Sequence, residues 1–472
     1  MLKSIQFVAI LSAGLLGCKK LVDVPQPVNI LNTVQAFSTD DQALSVMAGI
    51  YSNMINANGN LTFDNGILTL LGGLSADEFI SYDQNFNDGF SQFQDNQVVN
   101  NNGLVLGDMW QPAYSTVYQC NAAISGLNAS TGVHDSLKSE LIGEAEFVRA
   151  LQYFNLANCF GGVPLALTID YNKTSTLPRS SVPDVYAQVI IDLKDAQLRL
   201  RRDDSSSQGQ RLFPNHWAAT ALLARVYLYQ GDWADALAQS DSVLANTSEY
   251  ALAGDPNSAF LPGSPEVIWQ MAQNSNAGTQ NAVPEGHWFI PGATGGRALT
   301  YLTPTLLSAF EAGDLRWTDW VDSTDYLGTV YYYPFKYQLG LGNVTSGGQD
   351  PQYYVVLRLA EQILIHAEAE ANGTPAGLSA AIADLNRLRS RAGLSGTTAT
   401  SQTQVLAAIV HERQIELFAE WGHRWFDLRR WGMATNVLSA EKGVTVTTDA
   451  LVFPLPITDL TTDPNLTQNP GY

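Results

Sequence analysis

Apolar residues along this chain recur mostly three and four positions apart, the period of an amphipathic helix. Asp135–Cys159 shows it clearly: Leu141, Ala145, Val148, Leu151, Tyr153, Phe154 and Leu156 fall on one face. Gly161-Gly162 ends that helix and Pro164 follows. The same spacing predicts helices over Met109–Leu127, Ser181–Arg201, Pro214–Gln230, Trp233–Ala245, Arg358–Ala371, Leu378–Arg391, Gln404–Glu420 and His423–Trp431. Ahead of them, Leu21–Phe37 carries Pro25 and Pro27 and reads as an extended lead-in. Ser38-Thr39-Asp40 then caps a helix running to about Asn56.

Two stretches lack this period. Residues 59–108 are rich in Asn, Asp, Gly and Phe, and are expected to form long loops with short turns. Residues 247–350 hold Gly, Pro, Asn and aromatics, with VIWQMAQ and TVYYYPFKY as candidate strands. A block this long exceeds an ordinary connection. It is expected to be a second subregion on the helical scaffold and a seat of function. The helical part has internal punctuation. ATALLARVYLYQGDWADALAQSDSVL is helix, Gly-Asp turn, helix, the pattern of a tetratricopeptide repeat, and the pair over 358–391 repeats it. The expected fold is therefore mainly α, an α-α superhelix of degenerate tetratricopeptide-like repeats with a loop-rich, partly β ligand-binding region.

Length and charge narrow the function. At 472 residues the chain is long enough for about three domains and a sizeable core. Asp+Glu 45 against Lys+Arg 25 gives −20, and no basic patch offsets it. That excludes binding to a nucleic-acid backbone or to anionic lipid by charge. Met1-Leu2-Lys3 followed by SIQFVAILSAGLL over 4–16 is a basic start and a short apolar run, the form of a secretory signal. Leu15-Leu16-Gly17-Cys18 resembles a bacterial lipobox, so Cys18 is the expected lipidation site and membrane anchor, with 1–17 removed. That leaves Cys120 and Cys159, either a disulfide in an exported protein or two small buried apolar residues. No CxxC, HExxH, GxSxG, Walker loop or GxGxxG occurs, and neither metal nor cofactor is expected.

Several segments carry a resemblance. EAEFVRALQYFNLANCFGGVPL at 144–165, LRLAEQILIHAEAEA at 357–371, LNRLRSRAGL at 385–394, HERQIELFAEWGHRWFDLRRWG at 411–432 and FPLPITDLTTDPNLTQNPGY at 453–472 together resemble the SusD/RagB family of outer-membrane nutrient-uptake lipoproteins. The resemblance implies four tetratricopeptide-like units with a loop-rich region on top; with the break in pattern over 247–350, the chain is expected to divide into an N-terminal region over 18–246, that loop block, and a helical region over 351–472. It implies capture without catalysis, outer-membrane surface localisation, and a SusC-like TonB-dependent transporter as the partner the protein serves as a lid. Ligands in such a family are mostly glycans, with oligopeptides as the alternative; a tetratricopeptide scaffold without a small ligand is the alternative from another class.

Two residue sets compete for chemistry. His411, Glu412, Glu416, Glu420, His423 and Asp427 have the composition of an acid–base cluster. Arginines at 413, 424, 429 and 430 interleave with them, which favours bidentate structural ion pairs. Asp77-Glu78 supplies one carboxylate pair, but a glycosidase needs a second carboxylate facing it across a cleft, and the sequence points to none. The loop aromatics fit a binding role instead. Trp288 and Phe289 stand in a glycine-rich stretch, and Tyr82, Asn85, Phe86, Phe90 and Phe93 mix rings with polar groups. Flat rings suit the C–H faces of sugars, and amides and carboxylates suit their hydroxyls, which is the general form of a ligand site. The expected ligand contacts are Trp288, Phe289, Tyr82, Asn85, Phe86 and Phe90. Trp317 and Trp320, beside Asp314-Leu315-Arg316, are expected to be structural.

Overall fold

A computed structural model describes residues 36–55, 61–83, 89–272, 282–292, 296, 299–340, 352–373 and 377–472. The signal stretch and Cys18 lie outside the described residues. The long helices are α1 (Asp40–Ile55), α2 (Ile67–Ser75), α3 (Gln111–Ala129), α4 (Asp135–Phe160), α5 (Val182–Arg199), α6 (His216–Gln230), α7 (Trp233–Leu244), α8 (Leu359–Gly373), α9 (Leu378–Arg391), α10 (Gln402–Leu417) and α11 (His423–Arg430). Their starts are set by local chemistry. Ser181 accepts from the Asp184 amide, Asn215 from those of Trp217 and Ala218, and Ser401 closes a capping box with Gln404. Gly231, at φ 72°, turns the chain between α6 and α7 in the left-handed conformation that glycine adopts without a Cβ clash.

Successive helices pack as neighbours: α3 on α4, α4 on α5, α5 on α6, α6 on α7, α7 on α8, then α8 with α9 and α10. This is the expected stack of helical hairpins, and the mainly α fold class holds. The main core runs from Phe37 and Met47 through Val148, Leu151 and Leu222 to Trp425 and Leu455, and α8, α9 and α10 bury a second cluster around Ile363, Leu385 and Val405. Cys120 and Cys159 are both buried and unpaired, small apolar residues of that core. Burial pushes the Cys159 thiol up to about 12. Among the described residues, no helix is long and apolar enough to cross a membrane.

Residues 59–108 depart from the expectation of loops. They contain α2, β1 (Phe79–Ser81), a short helix at Phe90–Gln94 and a π-helical turn at Val105–Trp110 that runs into α3. The reason is visible in α2: ILTLLGGLS is buried on every side, so it has no polar face and shows no period. The later block contributes β2 (Val267–Met271), β3 (Thr300–Leu302), and the hairpin of β4 (Val321–Tyr326) and β5 (Thr329–Pro334), while β6 is Tyr354–Arg358. The two segments expected as strands are thus β2 and β5. β2 pairs with β6, and β1 with β3, all antiparallel.

The carboxylates of α10 are engaged in buried ion pairs. Glu416 meets three arginines: Arg316 at 3.1 Å, Arg358 at 2.6 Å and Arg391 at 2.5 Å. Glu412 pairs with Arg316 at 2.6 Å, and Glu420 with Arg358 and Lys336. Asp427 is held by Arg413 and Arg430, and Asp77 by a two-pronged contact from Arg424 at 2.7 Å. Burial would raise the Glu416 carboxyl, but Arg391, Arg358 and Arg316 together hold it well below its ordinary value. Burial, aided by the arginines around it, drives His423 well below the usual imidazole range, so it is neutral. Of the interleaved arginines, Arg413 and Arg430 meet Asp427 and Arg424 meets Asp77, while Arg429 donates to the Asn158 carbonyl; Glu412, Glu416 and Glu420 take their cations from outside the segment.

Other buried acids form no close ion pair among the described residues, and the more distant Arg424, Arg201 and Lys336 only partly offset their burial. Burial lifts Glu78, Glu144 and Glu285 to about 8 and Asp64 to about 7. An acid whose pKa is raised by folding favours the folded state when protonated, and loses that advantage as pH climbs from its unfolded value toward the folded one. Neutral His423 works the other way up to about pH 6.5, but four acids outweigh one imidazole, so the melting temperature is expected to fall as pH rises from about 4.5 toward about 7. Lys336 and Lys442, lowered to about 8 and about 7, stay charged and nearly constant in their effect over most of that window. A thermal melt series checks it, with Glu78→Gln flattening the slope; a slope that rises with pH would defeat the account.

Candidate functional site

The β1–β3 pair organises the loop aromatics. Its register sets Ile80 opposite Tyr301 and Ser81 opposite Thr300, and Tyr82 extends the ladder by donating its amide to the Leu299 carbonyl at 2.9 Å. Side chains alternate along a strand, so Ile80, Tyr82 and Tyr301 share one face and Phe79 and Ser81 the other. The first face is half exposed. There the β4–β5 hairpin brings two more rings: Tyr331 stands 5.4 Å from Tyr82 and 5.0 Å from Tyr301, and Tyr326 stands 5.9 Å from Tyr82, all edge-on. Four half-exposed tyrosines thus form one surface cluster. Burial and the neighbouring phenols raise the Tyr301 pKa, so its hydroxyl stays protonated and able to donate.

The inner face closes a smaller space. Phe289 packs on Phe79 with centroids 5.2 Å apart and is only 4% exposed. Trp288, half-buried, and Phe90 complete a pocket of about 130 Å³ with Ser81, Asp83 and Thr300. Ligand pockets run from roughly 300 Å³ upward, so this one takes no more than a small group. Of the residues singled out from sequence, the structure brings Trp288, Phe289 and Phe90 around the pocket and puts Tyr82 on the outer cluster. Phe289 forms the pocket's back wall rather than an open platform. Phe93 is fully buried against Phe453. Asn85 and Phe86 lie outside the described residues. Tyr301, Tyr326 and Tyr331 were not singled out from sequence as ligand contacts; Tyr331 lies in the tyrosine-dense TVYYYPFKY, but nothing around Tyr301 or Tyr326 says that either ring meets Tyr82 or Tyr331.

The frame below is rigid. The Asp77 carbonyl accepts from the Thr303 hydroxyl at 2.7 Å, and its carboxylate holds Arg424 of α11. Asp77-Glu78 is thus buried beneath the strand pair, Asp77 paired and Glu78 held nearer its neutral form. Trp317 packs edge-on against Phe310 and tilted against Tyr332, and Trp320 is buried, as expected of structural residues. Trp288 is positioned by Gly286, where an added Cβ would collide with the Leu339 carbonyl oxygen. Gly286→Ala is expected to displace the short helix Pro284–Phe289 and to change the environment of Trp288, read as a shift in tryptophan emission. An unchanged spectrum would show that the contact yields.

Comparisons with known proteins bear on both ends of the chain. The model of the SusD family matches residues 328–472, and that described as starch-binding associating with outer membrane matches 39–228. A SusD-like protein of Formosa agariphila is 27% identical, with 98% of each chain covered, and a second from that organism is 24% identical, with 99% of each covered. Among solved structures, a SusD superfamily protein of Bacteroides vulgatus superposes with a TM-score of 0.77 at 23% identity, covering 92% of this chain and 100% of that one. A laminarin-binding SusD-like protein superposes at 0.76 with 23% identity and the same coverage. With the stacked helical hairpins and both terminal matches in agreement, this chain belongs to the SusD/RagB family.

Proposed function

We propose that the protein is an outer-membrane surface lipoprotein, anchored through Cys18, that binds a nutrient glycan and passes it, as a lid, to a SusC-like TonB-dependent transporter. The reading rests most on the tyrosine cluster of Tyr82, Tyr301, Tyr326 and Tyr331 with Trp288 nearby. Such a surface offers ring faces and hydroxyls without net charge, which suits a neutral sugar chain. The family match and the laminarin-binding neighbour support the ligand class. A purely binding role fits the carboxylates of α10, which are neutralised by arginine and sealed from solvent. Asn85, Phe86, Phe90 and Phe289 belong to the same proposed site, Phe289 from behind.

Native gels containing a panel of polysaccharides test it, with a peptide mixture run alongside by calorimetry. Retardation by one polysaccharide supports the reading. Heat from peptides with no retardation moves the ligand to oligopeptides, and silence in both leaves a tetratricopeptide scaffold ahead.

A further inference from the structure

A second cleft lies away from the loop block and shares no lining residue with the Trp288 pocket. It is built from three distant segments: the start of α3, the turns around Pro164 to Leu177, and the stretch Asp459–Leu466. Its volume of about 470 Å³ falls within the range of ligand pockets, which the Trp288 pocket does not reach.

One wall is an aromatic row. Trp110, Tyr114 and Tyr118 occupy successive turns, about 6 Å apart along the helix axis. Trp110 is the buried floor: its ring lies 4.8 Å from Tyr114, and its indole N–H donates to Asp459 Oδ2 at 2.6 Å. Tyr114 is fixed by its hydroxyl, which donates to the Pro164 carbonyl at 2.8 Å. Tyr118 stands on the rim, 57% exposed, with no hydrogen bond or ring contact among the described residues. The facing wall is polar: Thr174, Ser175, Thr462 and Asp463.

No lysine or arginine lines the cleft, while Asp459 and Asp463 do. The nearest cations, Arg149 behind Asn121 and Arg179 beside Tyr114, do not line it, so the cleft presents carboxylates rather than guanidinium to a ligand and disfavours phosphate, sulfate and uronate. Rings on one side, with hydroxyls and carboxylates on the other, match a neutral sugar: a C–H face to stack and hydroxyls to donate. We propose that this cleft is a second saccharide-binding site, taking a neutral sugar unit stacked on Tyr118 and Tyr114 with its hydroxyls toward Asp463 and Thr174. The choice of ligand class rests on the glycan reading above; the cleft itself does not depend on the loop site.

The test is calorimetric titration of the full chain carrying Cys18→Ser with oligosaccharides cut from laminarin and from starch. Tyr118 is exposed, so Tyr118→Ala is expected to melt as the parent does. Two binding sites per chain are expected. Trp288→Ala removes one and leaves the other, while Tyr118→Ala weakens the remaining one at least tenfold. Abolition of all binding by Trp288→Ala alone, or an unchanged isotherm in Tyr118→Ala, overturns the second site and leaves the first. Peptide binding that Tyr118→Ala blocks overturns the saccharide assignment. No binding of either oligosaccharide by the parent removes the glycan reading and this inference together.

Discussion

Replacing Glu416 with leucine is expected to cost the protein about 3–5 kcal/mol or more, enough to leave little of it folded at moderate temperature. The size follows from what remains behind. Arg316, Arg358 and Arg391 all point at this one carboxylate, and none is more than 2% exposed. Arg358 and Arg391 keep Glu266, and Arg316 keeps Asp314 and Glu412, so the charges are left partly rather than wholly unpaired. A buried cation cannot shed its charge when it is arginine. Urea denaturation of Glu416→Leu measures the cost, with Glu311→Ala as the control. Glu311 pairs with Arg389 while 41% exposed, and its loss is expected to cost about 0–1 kcal/mol. Equal midpoints for the two variants would show that the buried cluster is not what holds the loop block to α10.

Tyr331→Ala is expected to weaken polysaccharide binding by roughly tenfold to thirtyfold, the loss of about 1.4–2 kcal/mol at an aromatic contact. Tyr331 is the ring that Tyr82 and Tyr301 both lean on, so its removal takes one face from the ligand and loosens two others. Trp317→Ala is the comparison. It stands in the same block but packs on Phe310 and Tyr332, so it is expected to lower the melting temperature and leave the affinity of the folded fraction alone. Affinity electrophoresis of both variants decides. If Tyr331→Ala migrates as the parent does while Trp288→Ala does not, the contact surface is the pocket rim rather than the tyrosine cluster.

Much of the scaffold was legible from residues alone because its helices carry both a period and punctuation. α9 starts and ends where the apolar spacing placed it, and Gly231 and Gly161 stop their helices as glycine does. α2 escaped because complete burial erases the contrast between faces that makes a helical period visible. The candidate site was legible only as a list of rings. Tyr82 and Tyr301 are far apart in the chain and meet because β1 pairs with β3, and nothing in either segment names the other. Phe289 follows Trp288 directly, yet one is half exposed and its neighbour faces the core, a difference set by Phe79 rather than by local sequence. The arginines of the 411–432 segment were readable as partners for its acids, but Arg316, Arg358 and Arg391, which complete the cluster, come from elsewhere.

That cluster also decides what can move. Arg316 and Lys336 reach α10 from the loop block, Arg358 and Arg391 reach it from β6 and α9, and Arg424 fastens α11 to the approach of β1. Opening the joint between loops and helices would expose several unmatched charges at once. Among the described residues, these pairs fasten the seam rather than leave it free to bend. A lid motion over the proposed transporter would then have to pivot outside this seam.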